Sequence, residues 1–108
     1  MVEYALSLDS IFASLADPTR RDILRRVSEQ ELSVGQIAEH YDLTFAAISK
    51  HLKVLEKARL IIKRRRGKEQ MVQLAPQALA DAAEYLQWYQ QFMGERFESL
   101  ENYLSKEV

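Results

Sequence analysis

One stretch limits the folds open to this chain more than any other. It runs Leu43-Thr44-Phe45-Ala46-Ala47-Ile48-Ser49-Lys50-His51-Leu52-Lys53-Val54-Leu55-Glu56-Lys57-Ala58-Arg59-Leu60 and reads as one amphipathic helix. Ile48, Leu52 and Leu55 recur at steps of four and three, which gathers them on one buried stripe. Thr44 stands where a side-chain oxygen caps a helix start. Ala46, Ser49, Lys50, Lys53 and Lys57 fall on the opposite side of the wheel. That side is small at its beginning and cationic further on. Such a face can sit against a groove wall and hold phosphates, but a solvated helix also carries lysines, so the flanking segments must decide.

Upstream, Ser33 caps a helix from Val34 to about Tyr41 that buries Ile37 and Ala38, and Asp42-Leu43-Thr44 forms a short turn. Helix, tight turn and cationic helix make a helix-turn-helix. Downstream the period changes. Ile61 to Arg65 and Gln70 to Leu74 have strand character and meet around Gly67-Lys68, with Val72 and Leu74 alternating with Met71 and Gln73. This predicts a β-hairpin with a basic tip, a wing directly behind the cationic helix.

The remaining segments are helical. Leu8, Ile11, Phe12 and Leu15 predict a short first helix with Ser7 as its cap. Asp17-Pro18 restarts the chain, since Asp caps and Pro is tolerated at the first helical position. The second helix then runs from Pro18 to about Glu29, with Ile23, Leu24 and Val27 inward. Its Arg20, Arg21, Arg25 and Arg26 are expected in solvent or paired with acids such as Asp22 and Glu29. After Pro76 an apolar stripe continues through Leu79, Ala82, Leu86, Tyr89, Met93, Phe97, Leu100 and Leu104, broadened by Tyr85, Trp88 and Phe92. A break is expected near Gly94, because glycine costs about 1 kcal/mol in a helix interior. From Pro76 to Leu104 one helix spans about 44 Å, more than the ~30 Å diameter of a small domain. Part of it must project, and a projecting apolar stripe needs a partner, most commonly a second copy of the chain.

Composition narrows the function. The 108 residues suit one domain. The net charge is -1 and the sequence pI about 6.1, which on average does not mark a nucleic-acid binder. The distribution does: Lys50, Lys53, Lys57, Arg59, Lys63, Arg64, Arg65, Arg66 and Lys68 lie close together with only Glu56 opposing them, while the segment after Pro76 is acidic. A local basic patch in an acidic chain is a positioned site, since attraction to phosphate depends on the local field. The absence of cysteine removes disulfides and thiolate metal sites. No apolar run reaches the roughly 18 residues of a membrane span, and Met1-Val2-Glu3-Tyr4 does not open a signal peptide. The expected location is the cytoplasm.

At this point the residues resemble a known family. Leu15-Ala16-Asp17-Pro18-Thr19-Arg20-Arg21-Asp22-Ile23-Leu24 is similar to the entry signature of ArsR-type winged-helix repressors. Ser49-Lys50-His51-Leu52-Lys53-Val54-Leu55 resembles their recognition helix, and Ala58-Arg59-Leu60-Ile61 its exit. The similarity extends from about Ile11 to Leu104 and implies a dimeric repressor that binds operator DNA and is often released by an effector. Metal-sensing members carry a Glu-Leu-Cys-Val-Cys pattern where this chain reads Glu31-Leu32-Ser33-Val34-Gly35. The last helix, where other members place Asp and His ligands, has Asp81 and Glu84 but no histidine. The metal-sensing role is therefore not implied. The aromatic tail Trp88-Tyr89-Gln90-Gln91-Phe92 resembles a subgroup without an obvious metal site.

The expectation is a mostly α fold with a small β-hairpin wing, a homodimeric winged helix-turn-helix in a single domain over residues 1–108, with 1–16 and 76–108 as dimerisation helices. Candidate DNA contacts are Thr44, Phe45, Ala46, Ser49, Lys50, His51, Lys53 and Lys57 on the helix and Arg64, Arg65, Arg66 and Lys68 on the wing. Ala46 and Ser49 can approach bases; strand alternation prevents all the wing cations from facing one duplex. His51, at the edge of the apolar stripe, suits a hydrogen bond within the fold as well as a phosphate. Candidate dimer residues are Leu8, Ile11, Phe12, Tyr85, Trp88, Tyr89, Phe92, Met93, Phe97, Leu100 and Leu104. The expected function is sequence-specific transcriptional regulation by a repressor on an inverted-repeat operator. Its partners are double-stranded DNA and a second copy, with no cofactor, metal or membrane. A small-molecule effector is compatible with the aromatic tail but not indicated. Enzyme readings lack a cysteine nucleophile, a glycine-rich phosphate loop and a metal triad, and Ser49 and His51, two apart on a helix, point apart. The rival reading is a winged helix used as a protein-interaction module, which acidic rather than cationic surfaces would favour.

Overall fold

The computed structural model describes the backbone of residues 2–107 and the side chains of residues 7–105. Its elements are α1 (Val2–Leu15), α2 (Pro18–Glu29), β1 (Leu32–Ser33), α3 (Val34–Ala38), α4 (Phe45–Lys57), β2 (Ile61–Arg66), β3 (Glu69–Leu74) and α5 (Pro76–Glu107). The three strands form one antiparallel sheet in the order β1-β3-β2. This is a winged helix-turn-helix.

α4 forms for the reasons its sequence suggests. The Thr44 hydroxyl accepts the Ala47 N–H at 3.1 Å, and Ile48, Leu52 and Leu55 are buried in the core. The helix is shorter than the stretch from Leu43 to Leu60 suggests. It ends at Lys57, and Arg59 enters the left-handed region at φ 62°. The Arg59 N–H bonds the Glu56 carbonyl (2.9 Å) and the Leu60 N–H bonds the Leu55 carbonyl (3.0 Å). This is a Schellman cap, and the buried pair Leu55 and Leu60 supplies its apolar contact.

α1 begins at Val2, so Ser7 lies inside it and is not its cap. The end of α1 is held by α2. Asp17 caps α2 by accepting the Arg20 N–H at 3.0 Å. Arg20 then reaches back, Nε donating to the Ser14 carbonyl (2.6 Å) and Nη2 to that of Ala13 (3.3 Å), while Arg21 Nη1 donates to that of Leu15 (2.8 Å). Two arginines expected in solvent or on carboxylates thus satisfy the orphan carbonyls of a helix C-terminus, where cations are favoured. Arg25 and Arg26 do pair with Asp22.

α3 stops at Ala38 rather than near Tyr41. Tyr41 leaves the helix and donates its hydroxyl to Asp22 at 2.5 Å, with Arg26 over its ring. At the other end of α3, Ser33 and Gln36 form a reciprocal capping box.

The hairpin pairs Ile61 with Leu74 through to Arg66 with Glu69, and Gly67 at φ 65° makes the two-residue turn. The sequence did not suggest β1, which pairs Leu32 with Val72 and Ser33 with Met71. That extra strand makes β3 central. Met71 is consequently buried along with Val72, although simple alternation places it in solvent. Its cross-strand neighbours are Ser33 and Arg64.

α5 runs 32 residues without a break at Gly94. Glycine weakens a helix but does not by itself end one. Only its first turns pack on the core. Ala78 and Ala82 are buried, and Tyr85 lies against the Phe12 ring of α1 with centroids 5.9 Å apart. From Leu86 through Ser105 every residue is exposed. The molecule is accordingly long, 67 × 32 × 21 Å. Its radius of gyration is 18.7 Å, against about 13 Å for a rounded domain of this length. Among the described residues no helix is long and apolar enough to cross a membrane.

Candidate nucleic-acid interface

The second helix of the motif presents one open face. Thr44, Phe45, Ala46, Lys50, Lys53 and Lys57 are exposed along α4, and Ser49 is half-buried among them. Among the described residues, Lys50, Lys53 and Lys57 make no ion pair. Glu56, the one acid on this helix, is engaged elsewhere, by Lys63 of β2 at 3.5 Å. The face therefore carries three uncompensated charges on a rigid helix that is capped at both ends.

His51 is not part of that face. Its side chain is 20% exposed, and Nδ1 lies 3.2 Å from Arg20 Nη1 and 3.9 Å from Asp17 Oδ2. A guanidinium only donates, so in this contact Nδ1 is the acceptor. His51 thereby ties α4 to the α1–α2 junction. The Asp17 carboxyl in that junction is held below the usual carboxylate range, chiefly by the Arg20 N–H it caps.

The wing divides its cations between two sides. Lys63 and Arg65 share the side that looks toward α4, as the Lys63–Glu56 pair shows. Arg64 and Arg66 share the other. There Arg64 grips Glu31 with two bonds of 3.0 Å, and Arg66 Nη1 lies 3.8 Å from the same carboxylate. The Arg64 bonds hold the Glu31 carboxyl below its usual range. Arg65 and Lys68 make no ion pair among the described residues. Glu31 is a residue that sequence reasoning missed. It anchors the wing to the domain, but its partner is 33 positions away and the strand beside it is two residues long.

The candidate dimer residues fall into two groups. Leu8 and Ile11 are buried in the chain's own core and Phe12 packs on it. Trp88, Tyr89, Phe92, Met93, Phe97, Leu100 and Leu104 are exposed on α5, with Tyr85 half-buried at their root.

A family profile described as "Bacterial regulatory protein, arsR family" matches residues 17–63, from the Asp17 cap to the first half of the wing. The "HTH-type transcriptional regulator Rv2034" of Mycobacterium tuberculosis is 42% identical over 74 residues, 68% of this chain and 69% of that protein. The "Transcriptional repressor SdpR" of Bacillus subtilis is 32% identical over 79 residues, 73% of this chain and 88% of that protein. Among solved structures, an "ArsR-like Transcriptional Regulator from Rhodococcus sp. RHA1" superposes with a TM-score of 0.77 at 26% identity, covering 94% of this chain and 95% of that one. These likenesses decide against both the enzyme and the protein-module readings. A capped cationic helix, a basic wing behind it and relatives matched across the motif place the chain in the ArsR family of bacterial regulatory proteins, the winged helix-turn-helix regulators of transcription.

Proposed function

We propose that this regulator is a repressor that binds an inverted-repeat operator as a homodimer in the cytoplasm. The observation that carries the reading is the set of five cations, Lys50, Lys53, Lys57, Arg65 and Lys68, on α4 and the wing without ion-pair partners among the described residues. They are uncompensated in a chain whose net charge is -1. In this reading α4 enters the major groove and the wing holds the adjacent backbone. Thr44, Phe45, Ala46 and Ser49 stand nearest the bases and the lysines nearest the phosphates. Arg64 and Arg66 serve through the position Glu31 gives the wing, and His51 through the position it gives α4. The exposed stripe of α5, with α1 packed at its base, joins the two copies. No metal effector is assigned: Ser33, which stands at a thiol position of the metal-sensing members, caps α3 instead.

Selection of bound DNA from a random pool tests binding, symmetry and spacing together. The expected result is an inverted repeat with half-site centres about one helical turn, roughly 10 bp, or a multiple of it apart. Affinity should fall steeply with salt. Lys50→Ala and Lys53→Ala should each weaken binding and reduce the salt slope by about 1 without lowering the melting temperature. Enrichment of no palindrome, or parent-like binding by both variants, would overturn the assignment.

A further inference from the structure

An apolar ring stands at the leading end of α4 with little of this chain against it. The steps that bury Ile48, Leu52 and Leu55 run back three residues to Phe45, so by period alone Phe45 belongs to the core stripe. It is instead 64% exposed, because it is the first residue of the helix and overhangs the core. Among the described residues no ring or cation stacks on it. Helical Cα–Cβ bonds tilt toward the N-terminus, so the ring projects ahead of the helix. Below it on the same column lie Ser49 and Lys53, four and eight residues on. The column thus runs apolar, hydroxyl, cation, continuous with the proposed DNA face.

The N-terminal residues of a recognition helix are the ones that meet base edges. A phenyl ring has no donor or acceptor and cannot read a hydrogen-bond pattern. The one apolar group that base pairs display in the major groove is the thymine 5-methyl. We propose that Phe45 packs on the 5-methyl group of a thymine in each half-site and so sets specificity at that base pair. The inference rests on the DNA-binding reading of α4. The neighbouring side chains do not substitute for it. Thr44, fixed in the cap by its hydroxyl, offers a single methyl, as does Ala46, a further 100° around the helix.

The test uses the full-length protein and an operator obtained by selection. Each thymine is replaced in turn by deoxyuridine, which removes the methyl and leaves base pairing intact. The parent should lose about fourfold in affinity at one thymine per half-site, and about fifteenfold when both methyls are removed. Placing 5-methyldeoxycytidine in a site variant that has cytosine there should restore part of the loss. Phe45→Ala should bind the thymine operator more weakly, no longer distinguish thymine from uracil at that position, and keep the parent's melting temperature and oligomeric state. Phe45→Leu should retain part of the discrimination. Three results overturn the inference alone: operator binding indifferent to every uracil, a uracil effect that persists in Phe45→Ala, or an altered oligomeric state in Phe45→Ala, which would make the ring a protein contact. Failure of the parent to bind any DNA overturns the reading of α4 and this inference with it.

Discussion

α4 and α5 carry the same sequence signal and end in opposite surroundings. In α4, Ile48, Leu52 and Leu55 are fully withdrawn from water. In α5, Met93, Phe97, Leu100 and Leu104 recur at steps of four, three and four, yet all are exposed, Phe97 at 67%. Periodicity identifies an apolar face; it does not identify what covers it. α4 is 13 residues long and is stopped at both ends by caps that keep it over the sheet and α2. α5 outruns the domain, and beyond Tyr85 its aromatic side chains meet, among the described residues, only groups of the same helix. The Trp88 and Phe92 rings stack 5.7 Å apart, and Arg96 lies over Phe92 at 4.9 Å. This contiguous apolar surface on a water-facing helix is the one assigned above to the proposed dimer.

The largest effect should come from placing charge on the uncovered stripe. If α5 joins two copies as proposed, Phe97→Glu with Leu100→Glu, read by light scattering and gel shift on one preparation, should leave a monomer. Operator affinity should fall by a hundredfold or more, because two linked half-sites owe that much to effective concentration. A folded monomeric variant that binds the full operator as tightly as the parent would remove α5 from the dimer. In α4 a comparable lesion should act on the fold instead. Ile48→Ala should cost about 2–5 kcal/mol in urea unfolding, with the exposed stripe of α5 untouched. If the two lesions gave the same phenotype, the distinction between a core stripe and an interface stripe would fail.

The contrast also shows which parts of the molecule were legible in advance. The α4 stripe, the Thr44 and Asp17 caps, the Gly67 turn and the open cationic face all rest on residues within a few positions of one another. Local chemistry was enough for them. What escaped was pairing at a distance. Asp22 with Tyr41, Arg20 with His51 and Glu31 with Arg64 are separated by 19, 31 and 33 positions. Each involves a charged or polar side chain whose partner a sequence alone does not name. β1 escaped because two residues have no period. The break expected at Gly94 failed for a different reason: a propensity of about 1 kcal/mol is small beside the helix-forming residues on either side.

The turn that leads into α4 has a polar mooring on α2 that the free part of α5 lacks, and acid should reveal it. The Tyr41 hydroxyl, and after it Arg26, hold the Asp22 carboxyl at about 2, against a usual 3.8. A depressed carboxylate stabilises the fold in full above its unfolded value. That contribution is lost as the pH falls from about 4 toward 2. Tyr41→Phe should therefore cost about 1 kcal/mol at neutral pH. The gap between parent and variant in urea midpoints should narrow below pH 4. A constant gap from pH 7 to pH 2 would mean that the hydroxyl acts by packing rather than through the carboxylate.

The smallest effects concern how each helix is ended or continued, and they run in opposite directions. Arg59 is the one non-glycine residue at positive φ among the described residues, and it occupies the Schellman position that glycine normally fills. The left-handed conformation costs an L-residue roughly 1–2 kcal/mol, part of which glycine returns as unfolded-state entropy. Arg59→Gly should thus raise stability by about 0.5–1 kcal/mol. A loss would show that the arginine side chain makes a contact worth more than the strain. In α5 the gain comes from removing glycine. A Cβ at Gly94 meets nothing within 4 Å in the single chain, so Gly94→Ala should stabilise the helix by about 1 kcal/mol. The melting temperature of Arg59→Gly should rise independently of protein concentration, since the strain lies within one chain. That of Gly94→Ala reports on the proposed dimer as well. If it rises, the glycine lies clear of the second copy; if the dimer dissociates more readily, the two α5 helices cross at Gly94 closely enough for one methyl group to part them.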